Sequence, residues 1–346
     1  MSSAGRELQR WRKRRRLSLR ALAEKVNYSY VYLWEIERGG KPALAMVMAA
    51  CDRALEAGGE LARLAEKGGD VKRREFLQST VAAPLMLRGA LSGLNDQLWK
   101  VYVAASDKSS LLPLANAQLV ITDDDLMRAD VLQLIGEIYF DGNRYSDAVR
   151  CYTEAATAAS GTNADHDLWA CALIRHAFVG VYERRFADAL RLLELAEGVA
   201  ARGDSQLTTS PWVQVVKAQA LAGLGDASGC RRSLDLSHAL DGRTNNGGWL
   251  RFDGSRIAEE AGACFIQLGR PDQAEIQLEQ ALAGLATSSR RRGVVLADLA
   301  MVGVMRKDRE YALHYASGAL SIARETGSGL LTRKLMNVQA EMLGAW

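Results

Sequence analysis

The sequence predicts an all-α fold, with a small five-helix head followed by an α-solenoid of helix pairs. Three observations carry that prediction. Apolar residues recur at helical spacing, as in Leu19, Leu22, Ala23 and Val26, which form one stripe at i, i+3, i+4 and i+7. Charge is unevenly divided: residues 1–80 hold 17 Lys and Arg against 10 Asp and Glu, and the remainder 27 against 31. From about residue 94 a helical unit recurs, and a repeating unit of this length is the mark of a stacked array.

The length of 346 residues, 48% of them hydrophobic, is enough for two cores. We divide the chain into a head at 1–67, a connecting helix at 68–93 and a repeat region at 94–346. No apolar run approaches the ~20 residues of a membrane span, and the basic start has no hydrophobic signal core behind it. A cytoplasmic protein with no membrane partner is expected. Cys51, Cys151, Cys171, Cys230 and Cys264 stand singly, without a CxxC, and read as reduced core residues.

In order along the head, residues 5–16 predict a first helix, with Leu8 and Trp11 inward and Arg10, Arg12, Lys13, Arg14, Arg15 and Arg16 outward. The stripe at 19–26 makes the second helix, and Asn27-Tyr28 a tight turn. Ser29 stands at the N-cap of the third, with a hydroxyl able to accept from an orphan N–H, and Gly39-Gly40 stops that helix. At about 100° per residue, Tyr32, Leu33 and Ile36 fall on one arc of the third helix, and Tyr30, Val31, Trp34, Glu35 and Arg38 on the other. A Tyr, a Trp and an Arg on the free face suit a surface that enters a major groove. Residues 43–56 predict a fourth helix, with Leu44, Val47, Met48, Cys51 and Leu55 inward, and 59–67 a short fifth.

Leu17-Ser18, Leu22-Ala23, Ser29, Ile36-Glu37-Arg38-Gly39 and Pro42 closely resemble the phage-repressor or XRE type of helix-turn-helix. That resemblance implies a double-stranded DNA operator as partner, with Tyr30, Val31 and Glu35 at base-reading positions. Ser29, Trp34, Arg38 and Lys41 would lie beside phosphates or the groove wall, and Arg12, Arg16 and Arg20 would add phosphate contacts. One departure is Leu19, where many members place a Gln that bonds the DNA backbone; Arg20 is its candidate replacement.

Arg73-Arg74-Glu75-Phe76-Leu77 is similar to a twin-arginine export signal. Its place behind a complete head favours a linker helix instead, with Phe76, Leu77, Val81, Leu85 and Leu87 packing.

In the repeat region, Gly136, Tyr139, Tyr145, Ala148, Tyr152 and Ala155 are spaced as positions 8, 11, 17, 20, 24 and 27 of a tetratricopeptide repeat. Anchoring on Ala148 finds further units at Ala189, Cys230, Ala274 and Ala312, in steps of 41, 41, 44 and 38 residues. Gly180, Leu221 and Gly303 stand where that repeat usually has Tyr. A helical pair at 94–121, broken at Asp107 to Ser110, opens the array, and a helix from Leu330 to Leu343 closes it.

The resemblance implies a concave surface that binds a peptide or protein and a chain that dimerises with itself, as in regulators joining an XRE head to such repeats. Lining candidates are Arg175, Phe178, Tyr182, Trp212, Gln214, Lys217, Arg256 and Glu260, with Trp249 and Arg251 contributing from a loop. No motif points to an enzyme, a cofactor or a metal. The stretch from Gly223 to Cys230 lacks the Lys-Ser/Thr of a phosphate loop. His166, His176, His238 and His314 are isolated, and Asp123-Asp124-Asp125 fits the start of a helix. The alternative is a scaffold acting through its repeats without specific DNA binding.

Overall fold

The computed structural model describes residues 3–26, 28–40, 43, 45–64, 83–161, 164–240, 242–286 and 289–346. It is all-helical and separates into two compact units, Met1–Arg88 and Gly89–Trp346. Among the described residues the one β interaction is an isolated bridge between Leu207 and Thr244. No described helix is long and apolar enough to cross a membrane.

The first unit holds α1 (Ser3–Arg14), α2 (Leu19–Val26), α3 (Tyr30–Arg38), α4 (Ala45–Leu55) and α5, described at 60–64. Its core is Leu8 from α1, Leu22 and Ala23 from α2, Leu33 and Ile36 from α3, and Val47, Met48, Cys51 and Leu55 from α4. Trp11 is only half-buried, and its indole N–H donates to Glu60 at 2.8 Å. Asp52 accepts from the backbone N–H groups of Gly59 and Leu61, both at 2.8 Å, which fixes the start of α5.

Capping differs from expectation. Ser29 holds the extended N-cap backbone of α3, but its hydroxyl makes no capping bond. Ser18 does the capping, for α2, by accepting from Ala21 N–H at 3.1 Å. Gly39 ends α3 at φ 80°, with Gly40 N–H on Glu35 O at 2.8 Å, as the double glycine predicts. Asn27, Lys41, Pro42, Leu44, Phe76, Leu77 and Val81 lie outside the described residues.

The boundary falls within α6 (Ala83–Ala104), and from Gly89 on the second unit runs through the rest of that helix, a 3₁₀ turn at Ser109–Leu111 and α7 (Leu112–Ile121) into five helix pairs. These are α8 (Asp125–Asp141) with α9 (Tyr145–Ala159), α10 (His166–Tyr182) with α11 (Phe186–Ala200), and α12 (Thr209–Gly223) with α13 (Ala227–Ser237). The last two are α14 (Ile257–Gln267) with α15 (Pro271–Ala283), and α16 (Arg290–Met305) with α17 (Arg309–Thr326). α18 (Gly329–Ala345) follows. Asp124 caps α8 by accepting from Met127 N–H at 2.9 Å, so the acidic run serves the helix start.

One turn joins the helices of every pair. Asn143, Arg184, Gly225, Gly269 and Lys307 all take positive φ, 57–79°, and each precedes its anchor residue by the same interval. The following N–H donates to the carbonyl of Tyr139, Gly180, Leu221, Phe265 or Gly303 at 2.8–2.9 Å, a Schellman closure repeated five times. Ala148, Ala189, Cys230, Ala274 and Ala312 are all buried, as the anchors require. Gly303 is a close-approach site, since a Cβ there would stand 2.7 Å from the backbone nitrogen of Ala312. A glycine thus stands where the two backbones nearly touch.

Within this unit the first pair meets the last. Phe140, Tyr145, Ala148 and Tyr152 share a cluster with Leu278, Val295, Ile322 and Leu331, and Asp141 is ion-paired with Arg290. The five cysteines are free and buried.

Candidate nucleic-acid interface and ligand cavity

On α3, Leu33 and Ile36 point into the core, which leaves Tyr30, Val31 and Trp34 outside at 42, 53 and 42% exposure. Two guanidiniums lie over this face: Arg20 of α2 over Tyr30, at 5.4 Å from ring centre, and Arg38 over Trp34, at 4.9 Å. Ring stacking restricts these long side chains while leaving their N–H groups available to phosphate. Arg20, Tyr28, Ser29 and Tyr30 also line a shallow notch beside the turn. Arg16 is exposed and Glu35 half-buried. Leu19, at the departure position, packs against the head core, so that site serves stability.

Arg12 departs from its expected outward position. Its guanidinium is held by Glu37 at 2.7 and 2.8 Å and by Leu17 O at 3.0 Å, inside the head. Arg15 is likewise drawn to Leu55 O, 2.8 Å, at the end of α4. The basic run is therefore divided between internal ties and an exposed remainder.

The second unit holds a partly open cavity of about 590 Å³. Of the eight lining candidates, Arg175, Phe178, Tyr182, Trp212, Arg256 and Glu260 line it, and Arg251 joins them. Gln214 and Lys217 do not, because both turn to Glu197 of α11, at 2.6 Å each. Trp249 acts through its carbonyl, which accepts from Arg175 at 2.7 Å and ties the 238–256 loop to α10. Arg175 also reaches Gln133 at 2.7 Å and Glu137 at 3.1 Å and stacks on Trp212 at 4.8 Å.

Glu137 is the residue the sequence reading missed. Burial pushes its carboxyl up, but Arg175, Arg251 and Arg290 more than offset that and hold it below the usual range. Arg251 reaches it at 3.0 Å and Tyr152 OH donates at 3.2 Å. Its signal was present: a lone carboxylate inside the apolar stretch from Leu134 to Phe140 needs buried partners. Asp298, which takes Lys334 at 2.6 Å inside another apolar helix, carries the same signal. Glu260 differs, for burial together with neighbouring Glu259 lifts it to about 7. Among the described residues no cluster of His, Cys, Asp or Glu is arranged to hold a metal ion.

A family model described as a helix-turn-helix domain matches residues 3–65. That match supports a DNA-binding regulator. No curated protein matches the chain. Among solved structures, BtubC (BKLC) from P. vanneervenii is similar at 16% identity and a TM-score of 0.41, covering 66% of this chain and 92% of that one.

Proposed function

We propose that this protein is a sequence-specific transcriptional regulator of the XRE type, non-enzymatic and cytoplasmic, that reads an operator with α3. The observation that carries the reading is the exposed face of α3, where Tyr30, Val31 and Trp34 stand between two ring-stacked guanidiniums. Tyr30, Val31 and Glu35 meet base edges in the major groove, and Arg16, Arg20, Ser29, Trp34, Arg38 and Lys41 hold the backbone. One helix this short offers few base contacts, so a homodimer presenting two heads about one DNA turn apart, ~34 Å, supplies the specificity.

The helix pairs are tetratricopeptide-like and bind a ligand, a peptide or protein by resemblance to similar regulators. The partly open cavity of the second unit supports ligand binding, and ligand changes operator affinity if it favours one arrangement of the dimer.

A selection of genomic fragments by the purified chain tests the DNA reading. Enrichment of one inverted repeat, with affinity falling steeply as salt rises, is the expected result. Recovery of no fragment above background would instead favour a scaffold that acts through its helix pairs.

A further inference from the structure

The charges around the cavity do not balance. Seven arginines and one lysine line it against five carboxylates. Most are already paired: Glu137 with Arg175 and Arg251, Glu259 with Arg291, Asp298 with Lys334. Arg290 is taken by Asp141. Among the described residues Arg184, Arg256 and Arg333 remain without an ion pair, against Glu260 and Glu341; Arg256 feels the negative field of Glu259 and Glu260, but its guanidinium makes no hydrogen bond. The neighbouring Arg251 has its Nε buried without a hydrogen-bond partner. Arg256 also stands at the N-cap of α14, where the helix adds positive potential of its own. Guanidinium donors left without hydrogen-bond partners in a partly enclosed site are costly unless an acceptor joins them.

The lining also carries flat aromatic side chains. Trp212 and Phe252 lie nearly parallel, 8° apart with centroids at 6.5 Å, and Phe178 meets Tyr182 at 5.0 Å. A volume of about 590 Å³ lies in the range of drug-sized ligands.

We propose that this cavity binds an organic anion carrying a flat apolar ring, its acidic group on Arg256 and Arg251 and its ring against Phe178, Tyr182 and Trp212. The inference rests on the reading of the second unit as ligand-binding and narrows the chemistry. A free aromatic acid and the C-terminal carboxylate of a short peptide ending in an aromatic residue share it.

The test is a fluorescence titration of the full chain with 8-anilinonaphthalene-1-sulfonate and its uncharged counterpart N-phenyl-1-naphthylamine. One sulfonate per chain is expected, bound at least tenfold more tightly than the neutral probe. Arg256→Gln should weaken the sulfonate about tenfold and leave the neutral probe unchanged, while Arg256→Lys recovers part of the loss. Equal binding of the two probes, or sulfonate binding indifferent to Arg256→Gln, would overturn the proposal. Competition by 1-naphthoate and by N-acetylphenylalanine with its amide then separates the sources. Displacement at lower concentration by the former points to a free acid, and by the latter, with its amide inert, to a peptide end. Operator binding is read separately by gel shift, so a failure of either reading leaves the other intact.

Discussion

Arg12 and Glu37 form a two-pronged ion pair, 2.7 and 2.8 Å, that ties α1 to the last turn of α3, with the Glu37 side chain 4% exposed. The helix that presents Tyr30 and Trp34 is thereby held in place by a cation that a reading of charge alone assigns to DNA.

Removing one partner leaves the other buried and unpaired, so Arg12→Ala should cost the first unit about 3 kcal/mol in denaturant unfolding. Arg12→Met combined with Glu37→Met should recover most of that loss, since neither charge then needs a partner. The double variant should also keep the wild-type salt slope of DNA binding. A slope lower by about one would restore Arg12 as a phosphate contact.

The repeated turn makes a prediction of opposite signs at equivalent places. Lys307 sits at φ 57° where Gly269 sits at φ 70°, and a side chain in that region costs about 1 kcal/mol. Lys307→Gly should raise stability by about that much. Gly269→Ala should lower it by a similar amount, although its Cβ would meet nothing within 4 Å. Thermal midpoints of the two variants check both signs.

These turns also mark the limit of what the sequence reveals. Gly225 and Gly269 advertise the left-handed position, whereas Asn143, Arg184 and Lys307 occupy it because the hairpin on either side demands it. The helix pairs were legible because Ala148, Ala189, Cys230, Ala274 and Ala312 are small where helices cross. Gly39 was legible as a stop because the αL geometry is local. Partners far along the chain were not: Glu37 lies 25 residues from Arg12, and Glu197 lies 20 from Lys217, and each turns a long polar side chain from its expected face. Ser29 and Ser18 were alike in composition, and only rotamer and backbone decided which one caps.

Glu260 gives the cavity a pH dependence. Its carboxyl is raised to about 7 by burial and Glu259, with Arg256 and Lys334 opposing and Asp298 adding. The native state thus keeps a proton that the unfolded chain releases near pH 4.3. Stability therefore falls as pH rises from about 4.3 to about 7, and the cost stays constant above that window. Glu260→Gln, which still accepts from Gln219, should match wild type at pH 4 and exceed it at pH 8 by roughly 3 kcal/mol. Chemical denaturation at the two pH values reads the difference.

Whether α3 reads DNA is decided by a gel shift on the selected operator that compares wild type, Arg38→Ala and the Tyr30→Ala, Glu35→Ala double variant at two salt concentrations. Arg38→Ala should weaken every sequence alike and lower the salt slope by about one, while the double variant should bind operator and mutated operator with nearly equal affinity. Unchanged affinity and unchanged discrimination in both variants would contradict the assignment of this helix as the DNA reader.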